Sequence, residues 1–404
     1  MSHPVKLVVT DDLQRTRASV FFRIVLAIPH FVWLVVWGIA ALVVAIANGL
    51  VTLVMGRSPD ALHGFLSRYV RYYVHVQAYV GLIAGRYPGF LGRPGYQVDV
   101  QIAPSEPQNR WSVFFRLLLA IPALVVSTVL VGGYNQGGGL LVTVAVLGWF
   151  SSLARARMPR GMRDVGAYAL SYAAQLQAYL FVLTDRYPNS DPLLALDDLP
   201  VREDPIQLTV DDDLRRSRLT TFFRLLLAIP HLIWLTLWGI AVLVAAIVAW
   251  FAALFTARVP DGLHRFIAAY LRYQTHVTAY VTLLANPFPG FVGAAGSYPV
   301  DLVVAPPERH SRWTVFFRGL LAFPALLIGG AYGGLLFAAG ALGWFAALVR
   351  GRMPLGLRNA GALALRYQEQ TTGYLYLLTP HYPYSGPTAA PQASAAATYL
   401  PPDP

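Results

Sequence analysis

The sequence predicts an all-α integral membrane protein made of four repeats of one unit, with short β-strands on the cytoplasmic side. The first apolar block, residues 19–59, has no charged residue between Arg23 and Arg57. About 18 uncharged apolar residues already suffice to span a bilayer. Charged residues make up 13% of the chain and hydrophobic residues 56%, whereas soluble domains average roughly 25% and 45–50%. Composition and block length therefore both indicate a membrane protein.

The repeats are visible as the same residues at the same spacing. A Phe-Phe-Arg triplet opens each apolar block, at Arg23, Arg116, Arg224 and Arg318. An Arg-x-Pro triplet follows each block, at Arg57, Arg157, Arg258 and Arg352. The first copy resembles the third and the second resembles the fourth, at offsets of 201 and 202 residues. The chain is therefore a duplicated pair of quarter-repeats.

We assign the repeats to residues 1–95, 96–188, 206–297 and 298–384. An acidic, proline-rich stretch at 189–205 is the expected linker between the two halves. Residues 385–404 are small, rich in proline and without periodicity, so we expect a disordered tail.

The net charge of +11 comes almost entirely from arginine. In a membrane protein this excess is typical of cytoplasmic loops and of contact with anionic headgroups. No basic helix lies apart from the apolar blocks, so we expect no nucleic-acid partner. The chain has no cysteine, which excludes disulfides and thiolate sites. The first apolar run is too long for a cleavable signal peptide and no small-residue cleavage site follows it.

Alternating β-branched residues precede each apolar block, at 5–10, 96–102, 206–210 and 298–304. We predict a short strand at each of these places. The strands are expected to pair into a small sheet, because an isolated strand leaves its backbone groups unpaired.

Each apolar block is expected to form a hairpin of two short membrane segments. In the second copy a glycine-rich turn at 132–138 separates two apolar stretches, and a weaker version lies at 329–334. The first and third copies offer only Gly38 and Gly239, so single helices of about 25 residues are the alternative there. Hairpins return every arginine cluster to one side, and the positive-inside rule then places both termini and all Arg-x-Pro loops in the cytoplasm.

An amphipathic helix follows each Arg-x-Pro triplet, most clearly at residues 60–84. A proline followed by an aspartate, Pro59-Asp60, signals the helix start. Five polar or aromatic residues share one face at helical spacing: Arg68, Arg71, Tyr72, His75 and Tyr79. Such a helix either lies in the membrane interface or lines the inside of a bundle.

The candidate functional residues are histidines that recur only in the first and third copies, together with tyrosines of the polar face. They are His30, His63, His75, Tyr72 and Tyr79, with His231, His264, His276, Tyr273 and Tyr280 as their counterparts. Histidine invites a metal hypothesis, but His63 and His75 would lie about 18 Å apart along one helix and roughly 120° around it. In the other copies their places are taken by arginine and glutamine. We therefore predict hydrogen bonding or headgroup contact, with no metal and no cofactor, and tyrosines at the interface.

The Phe-Phe-Arg arginines lie one turn inside an apolar segment, where a charge must be paired or reach the interface. Contact with lipid phosphates, pairing with an acidic residue of the preceding strand and a transport role are all open. For the most complete copies we predict that Arg23 pairs with Asp11 or Asp12. By the same argument, Arg224 pairs with Asp212 or Asp213.

The motif FFRxxLAIPHxxWLxxWGIA, at 21–40 and 222–241, is joined by LHxFxxxYxRYxxHVxAY at 263–280. This combination resembles a family of bacterial membrane proteins catalogued only as a domain of unknown function. The resemblance implies a multi-pass protein of the bacterial inner membrane and supplies no activity. The second and fourth copies depart from the motif, because they lack the histidines and the tryptophan pair.

Three function classes stay open at this point. The favoured one is a structural or scaffold protein that organises membrane or partner proteins. A transporter or channel would place its pathway at the repeat interfaces, and a lipid-headgroup-active enzyme would use the histidines. Expected partners are membrane lipids with anionic headgroups, and protein partners or a second copy of the chain.

Overall fold

The computed structural model describes residues 3–132 and 138–389, and most of them are helical. The first half comprises β1 (Val5–Val9), α1 (Arg17–Phe21), α2 (Arg23–Met55), α3 (Asp60–Val80), β2 (Val98–Ile102), α4 (Arg110–Phe114), α5 (Arg116–Leu119), α6 (Ile121–Val131), α7 (Leu140–Arg155) and α8 (Arg160–Leu180). The second half comprises β3 (Ile206–Val210), α9 (Arg218–Thr256), α10 (Asp261–Val281), β4 (Val300–Val304), α11 (Arg312–Phe316), α12 (Arg318–Arg350) and α13 (Leu355–Leu375).

In three copies the apolar block is one continuous helix. Helices α2, α9 and α12 have 33, 39 and 33 residues and are long and apolar enough to cross a membrane. The predicted hairpins are therefore wrong for these copies. Gly38 does not break α2. Its lack of a side chain makes room for Tyr69 of α3, whose hydroxyl would lie only 3.0 Å from a β-carbon at this position. Gly239 makes the same room for Tyr270.

The second copy alone has an interrupted apolar block. From Arg116 to Arg155 it is seven residues longer than the fourth copy from Arg318 to Arg350, and the glycine-rich stretch at 132–138 accounts for the excess. The backbones of Gly132 and Gly139 touch so closely that a β-carbon has no room on Gly139. The two ends of the insertion therefore lie side by side. Residues 133–137, the centre of the predicted turn, lie outside the described residues.

Each copy pairs its apolar helix with a polar one. We call α2, α5–α7, α9 and α12 the apolar helices, and α3, α8, α10 and α13 the polar helices. Helix α3 runs antiparallel to α2 from the contact of Arg23 with Tyr79, and the loop residue Ser58, just before α3, bonds to Asn48 of α2. Small or polar residues of α2, such as Ala27 and Ala41, face this partner, whereas its large apolar side chains point outward.

The strands form two separate two-stranded sheets rather than one. Strand β1 pairs antiparallel with β2, with Val5 opposite Ile102, and β3 pairs with β4, with Ile206 opposite Val304. The first sheet covers α3 and α8, and the second covers α10 and α13. Each half is therefore layered: apolar helices, polar helices, then a sheet.

The two copies of a half are antiparallel to each other. The Trp149 indole near the end of α7 donates to the carbonyl of Val20 in α1 at 3.0 Å. At the opposite end, Arg110 of α4 donates to the carbonyl of Val54 in α2 at 2.9 Å. The Arg57 loop therefore lies beside the start of the second copy, and the Arg157 loop beside the start of the first. Crossing helices would put these loops on opposite sides, so the inference that hairpins return them to one side no longer holds.

The second and fourth copies join the halves. Helix α12 packs against α6, α7 and α9, and Tyr168, Tyr332 and Tyr367 are fully buried there. Two polar bonds cross the same junction: Asn359 to Asp191 at 2.8 Å, and Tyr384 to Asp164 at 3.0 Å. Of the predicted tail, residues 385–389 contact this junction, with Ser385 accepting a bond from Tyr332. Residues 390–404 lie outside the described residues.

The loop after α3 makes a first testable prediction. Gly92 has φ +57°, and a β-carbon there would lie 2.5 Å from the carbonyl oxygen of Arg68. Gly92→Ala should therefore lower the free energy of unfolding by about 1–3 kcal/mol, from backbone strain and the lost close approach. Thermal unfolding in detergent measures this. Gly89→Ala is the control, because nothing lies within 4 Å of that position; equal destabilisation by the two substitutions would contradict the assignment.

Candidate functional site

The four Phe-Phe-Arg arginines perform the same structural task. Arg23 is 2% exposed, and its Nη1 donates to the carbonyls of Tyr79 at 2.6 Å and Ala84 at 3.0 Å. Its guanidinium lies 4.3 Å from the centre of the Tyr79 ring. The Tyr79 carbonyl belongs to the last turn of α3, where carbonyls lack helical partners and carry partial negative charge, and the Ala84 carbonyl belongs to the loop that follows. Arg23 therefore caps the polar helix of its own copy.

The other three arginines repeat this geometry with different additional partners. Arg116 donates to the carbonyls of Tyr179 and Thr184 and to the Asp185 carboxylate. Arg224 donates to the carbonyls of Tyr280 and Ala285, and also to Asn286. Arg318 donates to the carbonyl of Thr379 and to His310, and lies 4.1 Å from the centre of the Tyr374 ring.

The predicted pairing of Arg23 with Asp11 or Asp12 is corrected by the structure. Asp11 forms a buried ion pair with Arg15 at 2.8 Å, and Asp12 accepts from the backbone of Gln14. Arg15 also donates to the carbonyls that follow α3, at Leu82 and Ile83. A tight turn after β1 brings the Asp11 carboxylate to Arg15, four residues along the chain, and Asp11 therefore pairs with Arg15 and not with Arg23.

The third copy shows the same correction. Asp212 pairs with Arg216 at 2.7 Å, and Asp213 accepts from the backbone of Arg215. Arg224 instead binds the end of α10. Arg15 and Arg216 are thus structural cations that sequence reasoning missed. Their signal was the acidic pair followed four residues later by arginine in both copies.

His30 and His231 lie in aromatic clusters between the two helices of their copies. The His30 Nδ1 is 2.7 Å from the Tyr72 hydroxyl, and its ring stacks on Phe90 at 4.3 Å between centres. Trp37 stacks on the other side of Tyr72 at 5.3 Å. The third copy matches, with His231 at 2.6 Å from Tyr273. The motif histidine and tryptophan therefore hold the apolar helix to the polar helix.

His75 and His276 face the sheets. The His75 Nε2 is 3.0 Å from the Asp99 carboxylate in β2, which also lies 3.2 Å from Arg71. Burial alone would raise the pKa of Asp99, but hydrogen bonds from His75 and from backbone amides outweigh it and lower that pKa. His276 lies 2.7 Å from Asp301, and burial lowers its pKa despite this carboxylate.

The glutamines at the equivalent positions make the corresponding contact. Gln370 donates to the carbonyl of Ile206 in β3 at 3.0 Å, and Gln175 approaches the carbonyl of Val5 in β1 at 3.4 Å. A neutral amide and a histidine therefore both tie a polar helix to a strand.

His63 and His264 occupy a third place, between copies. His264 lies 3.2 Å from the carbonyl of Leu378 in the fourth copy, and burial lowers its pKa. Burial likewise lowers the pKa of His63, beside Leu183 of the second copy. The structure thus distributes the three candidate histidines of each half over three locations. Within the described residues no group of three or more histidine, aspartate or glutamate side chains could hold a metal ion.

The Arg-x-Pro arginines are exposed at the ends of the apolar helices. Arg57 forms an ion pair with Asp60 at 3.2 Å, while Arg157 and Arg352 pair by backbone with the starts of the neighbouring copies. Arg258 bonds through its backbone to Thr256. Their guanidinium groups therefore face outward, in contrast to the buried Phe-Phe-Arg arginines.

The four copies of this geometry coincide with four matches to one family model, at residues 17–92, 110–190, 218–292 and 312–385. The chain belongs to this family, described as a domain of unknown function, DUF4389. The predicted family resemblance is confirmed. Each DUF4389 match contains a Phe-Phe-Arg arginine and the tyrosine beneath it, whereas the four strands lie outside the matched segments. No curated protein and no solved structure matches the chain.

A buried acid is the most unusual polar group in this DUF4389 chain. It lies where the two polar helices of a half face each other. The equivalent position, seventeen residues after each Arg-x-Pro arginine, holds Val74, Ala174, Thr275 and Glu369. Glu369 is 1% exposed, and burial raises its pKa to about 8 against an opposing hydrogen bond with Thr275. The carboxyl is therefore protonated at neutral pH. Sequence reasoning missed it, since its counterparts are apolar or neutral.

The arginine cap makes a second testable prediction. Arg23→Met should lower the free energy of unfolding by about 3 kcal/mol, because two hydrogen bonds from a charged donor and the contact with Tyr79 are lost. Denaturant unfolding in detergent measures the effect. Arg93→Met is the control, since Arg93 is exposed and should change stability by less than about 0.5 kcal/mol. Comparable losses from both substitutions would refute the capping role.

Glu369 makes a third prediction, with a defined sign. The folded carboxyl keeps its proton up to about pH 8, whereas an ordinary glutamate loses it near 4.5. Between these values the folded state binds more protons, so the free energy of unfolding falls as pH rises, by up to about 1.4 kcal/mol per unit. Glu369→Gln should remove this dependence, and Glu203→Gln, at an exposed position, should not. Parallel curves for wild type and Glu369→Gln from pH 5 to 8.5 would disprove the assignment.

Proposed function

We propose that this protein is a structural membrane protein: its four units hold a layer of apolar helices in lipid and present polar helices and sheets for organising membrane or partner proteins. The apolar layer carries the proposal. Large side chains of α2 stay exposed from one end to the other, with Ile24 70% and Val54 75% exposed. Exposed apolar surface on this scale requires a covering partner, and lipid fits its length and composition.

The polar residues support a structural role. The Phe-Phe-Arg arginines and the candidate histidines contact backbone carbonyls, a tyrosine or a strand carboxylate within the chain. A transport pathway would run between repeats, yet the junction between the second and fourth copies is filled by buried side chains such as Tyr168 and Tyr332. A headgroup-active enzyme would need the histidines together, and they lie in three places.

Exposed arginines supply the proposed affinity for anionic headgroups. Every apolar block has them at both ends: Arg17, Arg57, Arg110, Arg155, Arg157, Arg218, Arg258, Arg312, Arg350 and Arg352. The first copy adds Arg86 and Arg93, in the loop that carries Phe90 beside α2. This loop and His75 line a cavity of about 380 Å³. These charges support our proposal that the protein is located in the bacterial cytoplasmic membrane.

Lipid selectivity provides the test. In vesicles containing brominated phosphatidylglycerol or brominated phosphatidylcholine, the tryptophans should be quenched more strongly by the anionic lipid. Arg93→Ser should reduce this preference about fivefold, since a basic residue near an anionic surface contributes about 1 kcal/mol. Lys6→Ser, which removes a charge from the exposed face of the first sheet, should not.

Two outcomes would count against the proposal. Absence of quenching by either lipid would show that the apolar layer does not contact the bilayer. Solute entry into reconstituted vesicles faster than into protein-free vesicles would favour a transporter instead.

A further inference from the structure

We infer that the apolar helices lie in the plane of the membrane, embedded in one leaflet, instead of crossing the bilayer. This inference rests on the proposed function, because it presupposes that the apolar layer contacts lipid. It concerns the orientation of that layer, which decides the side of the membrane that each loop occupies.

The first argument is the antiparallel pairing of each apolar helix with a polar helix, and α3 follows α2 for most of its length. Helix α3 accompanies α2 from the Arg23–Tyr79 contact to the Asn48–Ser58 contact. Any orientation that carries α2 across the bilayer carries α3 across as well. Helix α3 contains Arg68 and Arg71, and charged side chains at membrane depth are costly.

The second argument is the position of the sheets. The first sheet covers the surface of α3 and α8 opposite the apolar helices. A two-stranded sheet has two open edges, and open edges facing lipid do not occur within the hydrocarbon region. Lys6 is exposed on this sheet. Helices that cross would bring the sheet and its lysine to bilayer depth, whereas helices that lie flat leave both in water.

The third argument is the loop beside the apolar helix. The Tyr87 hydroxyl donates to the carbonyl of Leu26 at 3.1 Å, and the Trp33 indole donates to the carbonyl of Phe90 at 3.0 Å. If α2 entered the bilayer at Arg23, this irregular segment would lie about 5–15 Å inside it. The same segment carries the exposed Arg93, which a flat orientation leaves at headgroup level.

The fourth argument is length. Helix α2 has 33 residues and α9 has 39, or about 50 and 58 Å at 1.5 Å per residue. The hydrocarbon core is about 30 Å thick, and α2 has no charged residue after Arg23. A crossing helix of this length would leave about 20 Å of apolar surface in the headgroups or in water. A helix in the membrane plane covers all of it.

The distribution of arginines at the helix ends favours the same orientation. Arg17 at the start of the first copy binds the carbonyl of Ala154 at the end of α7, and Arg110 binds the carbonyl of Val54 at the end of α2. Because the copies are antiparallel, crossing helices would place arginine clusters on both sides of the membrane, against the positive-inside rule. Helices lying flat place every cluster at one headgroup layer.

Cysteine labelling tests the inference directly, because the chain has no cysteine. Arg57→Cys and Arg157→Cys introduce single exposed thiols at opposite ends of the first antiparallel pair. A membrane-impermeant maleimide should label both from the same side, in cells or in inverted membrane vesicles but not in both. Labelling of one position from outside and the other from inside would overturn the inference.

Depth measurement provides a second, independent readout. Nitroxide labels at Val25→Cys, Val36→Cys and Val54→Cys, all exposed on one face of α2, should report equal depths against oxygen and a water-soluble paramagnetic reagent. A crossing helix would give its greatest depth at position 36 and shallow values at the ends, which would refute the flat orientation. Zero depth at all three positions, with release of the protein by alkaline carbonate, would instead show that the proposed membrane contact itself is wrong.

Discussion

The contact of each Phe-Phe-Arg arginine with a tyrosine at the end of a polar helix determines how a unit closes. A guanidinium in an apolar turn needs acceptors, and the last carbonyls of a helix need donors. Through its Nη1, Arg23 meets part of both needs at one point, because it donates to the carbonyls of Tyr79 and Ala84. The start of the apolar helix is thereby fixed at the end of the polar helix, so the two run antiparallel. The His30–Tyr72 contact and the Trp37 ring then fall into register along the shared face.

Copies of the unit have diverged according to their position. The first and third copies, which keep the histidines and the tryptophan pair, lie at the periphery and stabilise their helix pairs with their own aromatic clusters. The second and fourth copies lie at the junction of the halves, where Tyr168, Tyr332 and Tyr367 are buried. Contacts with the other half replace the aromatic cluster there. Packing therefore accounts for the absence of the motif from these copies.

Much of this architecture is readable from sequence, because it depends on local and periodic signals. The four repeats, the strand positions within two residues and the start of each polar helix after Pro59 or its counterpart all follow from spacing. The continuity of α2 does not, since Gly38 has the same identity whether it breaks a helix or admits the Tyr69 hydroxyl. The partners of Arg23 could not be predicted from sequence either, because every residue has a backbone carbonyl and its residue type does not show which one accepts a bond. Only the tertiary fold shows that Asp11 turns back to Arg15.

The pairing of β1 with β2 has a consequence for biosynthesis. Val5 lies opposite Ile102, and the backbone of Arg15 accompanies that of Ala156 in the second copy. The amino-terminal segment therefore cannot form these contacts until nearly a whole half has been synthesised. Such long-range closure delays folding and leaves apolar surface uncovered meanwhile. A half of about 200 residues, and not a single repeat, is accordingly the smallest piece that contains both partners of these two contacts.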